Sequence, residues 1–149
     1  MNLTTLLGQR LKDDEVLEVL EAYQIEQVIY DFDRHHENME DVYWAAARRA
    51  GFQLRFDQHQ VVDTIFCYIA ADEGFSPISL QIIGVPIYRS FDEAEGACKS
   101  AGLTYSVSDP KNGPKFHKLW LRIESPNLQT HYQFKGGVIS RITLMRAEL

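Results

Sequence analysis

A chain of 149 residues that is 45% hydrophobic can bury one real core, and its formal net charge of −6 sets it against polyanions such as nucleic acid. No apolar run approaches the roughly 18 residues of a membrane span, and the opening residues lack a basic stretch followed by an apolar one, so a soluble, unsecreted, cytoplasmic protein is expected. Cys67 and Cys98 have neither metal-ligand spacing nor a disulfide framework, and both are expected to be buried, reduced thiols.

In chain order, the first helix begins where Asp13 or Asp14 can cap it and where Asp14 and Glu15 favour the positive end of the helix dipole. Val16, Leu20 and Tyr23, with Leu17 beside them, form the predicted buried stripe. Asp14, Glu18 and Glu21 form the opposite stripe, with no lysine or arginine among them to relieve the charge. Positions 24 to 41 read as a loop around a short Val28-Ile29-Tyr30 strand. A strand carrying Trp44 follows, and Gly51 then turns the chain into a hairpin. In that hairpin Phe52, Leu54 and Phe56 alternate with polar residues. The second strand places Val61, Ile65 and Cys67 on one face and Val62, Thr64, Phe66 and Tyr68 on the other, which predicts a central strand.

Asp72-Glu73-Gly74-Phe75-Ser76-Pro77 is a turn-rich connector. Beyond it Ser90 and Glu93 make a capping box. Phe91, Ala94, Ala97, Cys98 and Ala101 supply a small-residue helix face that ends at Gly102. A loop at 109 to 114 and a strand from Leu119 to Ile123 come next. Leu128 to Phe134 and Val138 to Met145 then form a second hairpin around Lys135-Gly136-Gly137.

The second half echoes the first. Val61, Val62 and Ile65 recur 77 positions later as Val138, Ile139 and Ile142; before the turn the offset is 76, carrying Trp44 onto Trp120, Phe52 onto Leu128 and Phe56 onto Tyr132. The same offset carries Leu7-Gly8 onto Ile83-Gly84. The expected architecture is α+β: one domain over 1 to 149 made of two tandem helix-plus-antiparallel-strand repeats, about 1 to 80 and 81 to 149, which share one sheet with the helices on one face.

Charge separates the halves. Residues 1 to 80 hold 6 Lys and Arg against 15 Asp and Glu, and residues 81 to 149 hold 9 against 6; positions 13 to 41 alone contain 11 acids and one arginine, Arg34. Such a field attracts cationic proteins and steers their association. Two enzymatic readings compete with it. Val28 to Asp33 resembles the apolar-run-then-Asp-x-Asp opening of haloacid-dehalogenase-like phosphohydrolases, but Arg34 and His35 follow where Thr or Val is usual and no later acidic pair ends an apolar strand. His35 and His36 with Asp31, Asp33 and Glu37 could instead ligate a metal for a hydrolase. His59, His117 and His131 have no Ser or Cys partner at recognisable spacing, and Lys111, Lys115 and Lys118 lack the glycine-rich aromatic motif of a nucleic-acid binder.

Gly74-Phe75-Ser76-Pro77, then Leu80, Gly84-Val85, Ile87, Ser90, Glu93-Ala94 and Gly102, resembles the middle of a family of small bacterial immunity proteins, many encoded beside polymorphic toxins. Val62 to Phe66 and the opening Leu7-Gly8 with Leu11 and Val16 are similar to that family's first half; Val85-Pro86 and Ala94 depart from its pattern. The resemblance implies a non-enzymatic inhibitor, without cofactor or metal, that neutralises a toxin domain of a contact-dependent inhibition or related system as a monomer or 1:1 complex. Nuclease toxins present cationic grooves, which suits an acidic inhibitor. The expected partner surface is Asp31, Asp33 and Glu37 with the anchors Tyr30 and Phe32, joined by Asp41, by the helix stripe Asp14, Glu18 and Glu21, and by Asp72, Glu73 and Phe75. A metal-dependent hydrolase using the Asp31 to Glu37 cluster and an adaptor for some other protein are the alternatives.

Overall fold

The computed structural model describes residues 1–32, 37–108 and 118–147. Its strands are β1 (Ile29–Asp31), β2 (Val42–Ala47), β3 (Phe52–Phe56), β4 (Val62–Tyr68), β5 (Thr104–Val107), β6 (Lys118–Glu124), β7 (Leu128–Lys135) and β8 (Val138–Arg146). Helix α1 (Asp14–Ala22) precedes β1 and helix α2 (Phe91–Ala101) precedes β5; short 3-10 helices at Leu3–Leu6 and Leu80–Ile82 open the two halves. All eight strands join one antiparallel sheet in the order β1-β2-β3-β4-β8-β7-β6-β5, so two four-stranded meanders meet at the β4–β8 seam. The fold is α+β, with β4 central as its apolar sequence predicts.

Alternation decides which side of the sheet is buried. Phe52, Leu54 and Phe56 on β3, Ile65 and Cys67 on β4, Ile142 and Leu144 on β8, and Tyr132 and Phe134 on β7 form one continuous core. Both helices pack on this side: Tyr23 meets Phe52 edge-on at 5.0 Å, and Phe91 meets Phe134 edge-on at 6.0 Å. Ala94 and Cys98 press the narrow face of α2 into the core, while the equally small Ala101 is exposed. Ser90 Oγ accepts from Glu93 N at 3.2 Å, and the Glu93 carboxylate reaches back to Arg89 N, one residue before the cap. Gly102 ends the helix at φ 65°, where a side chain would strain the turn.

Helix α1 and strand β4 also differ from the sequence reading. On α1 the buried pair is Val16 and Val19, Leu20 and Tyr23 are only partly covered, and Leu17 is 46% exposed. The helix has thus turned so that its 16/19 edge meets the sheet. Asp13 is its N-cap, although the carboxylate accepts from Arg10 N and not from the helix. On β4 it is Val62, not Val61, that shares the core face with Ile65, because a β-bulge pairs Arg55 with Thr64 but Phe56 with Val62 and so skips Asp63. One extra residue resets the alternation, which no period-2 pattern can foresee.

Candidate functional site

Among the described residues β1 is an edge of the sheet, three residues long, and all three are exposed. Its apolar side chains are held against one another. Tyr30 stacks on Tyr43 of β2 at 4.9 Å and on Phe32 at 5.7 Å, leaving Tyr30 46% and Phe32 47% exposed. Ile29 and Met39 are also exposed. The Tyr30 hydroxyl donates to Asp41 Oδ2 at 2.6 Å. That bond to a carboxylate, followed by local burial and the Asp41 charge, pushes the phenol up to about 12, so Tyr30 remains a neutral donor at physiological pH.

The structure therefore brings together Tyr30, Asp31, Phe32 and Asp41 of the predicted surface, with Glu37 exposed in the same segment. Asp33, His35 and His36, and with them the predicted metal cluster, lie outside the described residues. Among the described residues no three His, Cys, Asp or Glu side chains converge as a metal site would need. Asp14, Glu18 and Glu21 are exposed on α1, a separate element. Asp72 and Glu73 are exposed in the connector, but Phe75 is buried, stacked on Tyr68 at 4.2 Å beneath the Arg48 guanidinium. Its ring fastens the connector to the sheet and is not an outward anchor.

Beside β1 an open groove of about 670 Å³ lies between residues 24–27 and the sheet side chains Trp44, Arg48 and Gln53. It belongs to the sheet face opposite the helices, a surface the sequence reading passed over. There Trp44 leans on Phe66 at 5.9 Å and Trp120 stacks on His131 at 5.2 Å. The signal was present as alternation, since these residues occupy the non-core positions of their strands, yet aromatic side chains at such positions read as core until the helices are placed on one side.

Burial accounts for the remaining perturbed groups. It pushes the Cys67 thiol up to about 12, raises Cys98 and Tyr132, and raises Asp63 despite its 2.6 Å ion pair with Arg55. Of these, Asp63 lines an open polar groove with Arg55, Asp57 and Glu124. No helix among the described residues is long and apolar enough to cross a membrane. Compared with protein-family models, curated proteins and solved structures, the chain matches none.

Proposed function

We propose that this chain is a cytoplasmic immunity protein, without enzymatic activity or cofactor, which binds and neutralises a basic toxin domain through the β1 edge. The observation that carries the reading is that edge itself: two stacked, half-exposed aromatics beside Asp31 and Asp41. Aromatic anchors supply contact area with little rotamer entropy to lose, and acids around them select a cationic surface and accelerate encounter. A free antiparallel edge can also accept a partner's strand. The acid-rich stretch 13 to 41 and the resemblance of the connector region to immunity proteins support the same reading.

We also propose that the two halves are copies of one unit. A 3-10 turn, a helix and a four-stranded meander occur twice in the same order. Trp44 faces Arg55 and Trp120 faces Gln133, each next to a bulge, and the bulges skip Asp63 and Ser140, which are 77 positions apart. Phe66 and Thr143, also 77 apart, face each other across the seam, as a twofold axis through it requires. Gly8 and Gly84 share φ values of 85° and 91°. The bulges equate Phe56 with Phe134, 78 positions on, and so move the β3 match by two residues from the sequence alignment onto Tyr132.

The functional test is growth. A basic toxin domain encoded beside this chain should arrest cells when expressed alone, and co-expression of this chain should restore growth. Arrest that persists despite soluble co-expression would sink the reading.

A further inference from the structure

The sheet face away from the helices carries, in the second half, a cluster of opposite sign to the β1 edge. Ser106, Arg122, His131, Thr143 and Phe66 stand in one transverse row, each directly opposite the next on neighbouring strands. Arg141, opposite Gln133 and Tyr68, lies beside that row on β8. Four buried side-chain polar atoms find no protein hydrogen-bond partner among the described residues, and three of them are Ser106 Oγ, Arg122 Nε and Arg141 Nε. Those atoms are themselves closed off, but the Arg122 side chain is 36% exposed, so the outer guanidinium nitrogens, with their own donors to satisfy, are what a ligand's oxygens can meet.

The guanidinium groups are held in place by rings. Arg141 lies 5.6 Å from the centre of Phe66 and Arg122 5.9 Å from that of Trp120, while Trp120 stacks on His131. Glu124 stands 3.6 Å from Arg122 Nη2, but both side chains are well exposed and the pair is screened. No described carboxylate pairs with Arg141. Burial first, then Arg122 and Arg141, hold the His131 imidazole down to about 4, so at neutral pH it adds a hydrogen-bonding group without a third charge.

We propose that this face is a second binding surface, which takes the carboxylates of an acidic protein segment between Arg122 and Arg141 while Trp120 and Phe66 pack against the segment's apolar side chains. Phosphates would also suit the guanidinium groups. A nucleic-acid strand, however, gains affinity by running over many phosphates, and here Glu124 stands beside the patch while the chain as a whole carries −6. A short acidic segment needs to cover only the patch. The proposal does not rest on the toxin reading, which concerns the other half and the other sign of charge.

The test measures anisotropy of a fluorescein-labelled peptide of alternating Glu and Phe, its Gln/Phe counterpart, and a labelled oligothymidylate, each titrated with wild-type protein and with the Arg122→Gln, Arg141→Gln double variant. The Glu/Phe peptide should bind saturably, the Gln/Phe peptide should not, and the double variant should bind about tenfold more weakly or worse. In wild-type protein the ¹⁵N–¹H signals of Arg122 Nε and Arg141 Nε should shift on adding the Glu/Phe peptide while those of Arg10 stay fixed, a readout that stands even if the double variant fails to fold. Absent binding, equal binding of both peptides, a folded double variant that binds as wild type, or unmoved Nε signals would overturn the proposal. Tighter binding of the oligothymidylate would replace it with a nucleic-acid surface.

Discussion

Replacing Gly84 by alanine tests how the two halves are locked together. Gly84 has φ 91°, and a Cβ there would stand 1.5 Å from Asn2 Oδ1 and 2.3 Å from its Cγ. Asn2 caps the opening 3-10 helix, its Oδ1 accepting from Thr4 Oγ1 at 2.7 Å and from Thr4 N at 3.3 Å. The new methyl therefore imposes two costs. A side chain in left-handed backbone costs about 1–2 kcal/mol, and turning Asn2 away forfeits a cap contributing about 1 kcal/mol. The sum is about 2–3 kcal/mol, which for a chain of this length lowers Tm by about 5–10 °C. Gly8, which the proposed duplication pairs with Gly84, has φ 85° but would place its Cβ an ordinary 3.7 Å from Arg146 Nε. Gly8→Ala should cost the strain alone, about 1–2 kcal/mol. Urea unfolding of Asn2→Ala, Gly84→Ala and the double variant closes a thermodynamic cycle in which the cap is lost only once, giving a coupling of about 1 kcal/mol. Additive single effects, or Gly8→Ala as harmful as Gly84→Ala, would refute the reasoning.

Three further outcomes follow from the buried groups and the edge. His131 is held down to about 4, against an ordinary value of 6.5, so the unfolded chain takes up its proton first. Its stabilising share is intact above pH 6.5 and is lost as the pH falls towards 4. Direct conversion gives about 3 kcal/mol, and partial solvent screening reduces that to about 1–2; His131→Gln should flatten the loss in urea titrations across this window. Cys67 and Cys98 are both fully buried, so a thiol reagent at pH 8 should modify neither in native protein and both in denaturant. Purified protein should hold no stoichiometric metal, and His35→Ala with His36→Ala should leave folding unchanged; one equivalent of bound zinc or manganese would favour the hydrolase alternative.

Much of this fold was legible because its signals are local. Ser90 and Glu93 announced α2, Gly102 its end, and Lys135-Gly136-Gly137 the turn between β7 and β8. The burial of Val62 was not legible, since it depends on a bulge that only pairing creates. Nor was that of Val19: on α1 the apolar residues 16, 17, 19 and 20 offer more than one stripe, and the sheet chooses between them. At the candidate site the sequence supplied the residue types of the β1 edge and the exposed anchors Tyr30 and Phe32, but the stacking of Tyr30 on Tyr43 needed the strand placed at the border. The cationic face around Arg122 and Arg141 went unread because its members are scattered over five strands and meet only across the sheet.

The most direct test of the central claim compares two charge-matched variants for binding to the proposed partner, a basic toxin domain. One carries Asp31→Lys and Glu37→Lys at the β1 edge. The other carries Asp92→Lys and Glu95→Lys on α2, sparing Glu93 because it caps that helix. Association and dissociation rates would be followed at low and at physiological salt, where the screening length is about 8 Å. The account predicts that the edge variant loses affinity, mostly through slower association at low salt, while the α2 variant binds as wild type. Unchanged binding by the edge variant with loss only in the α2 variant would contradict it and place the interface on the second half.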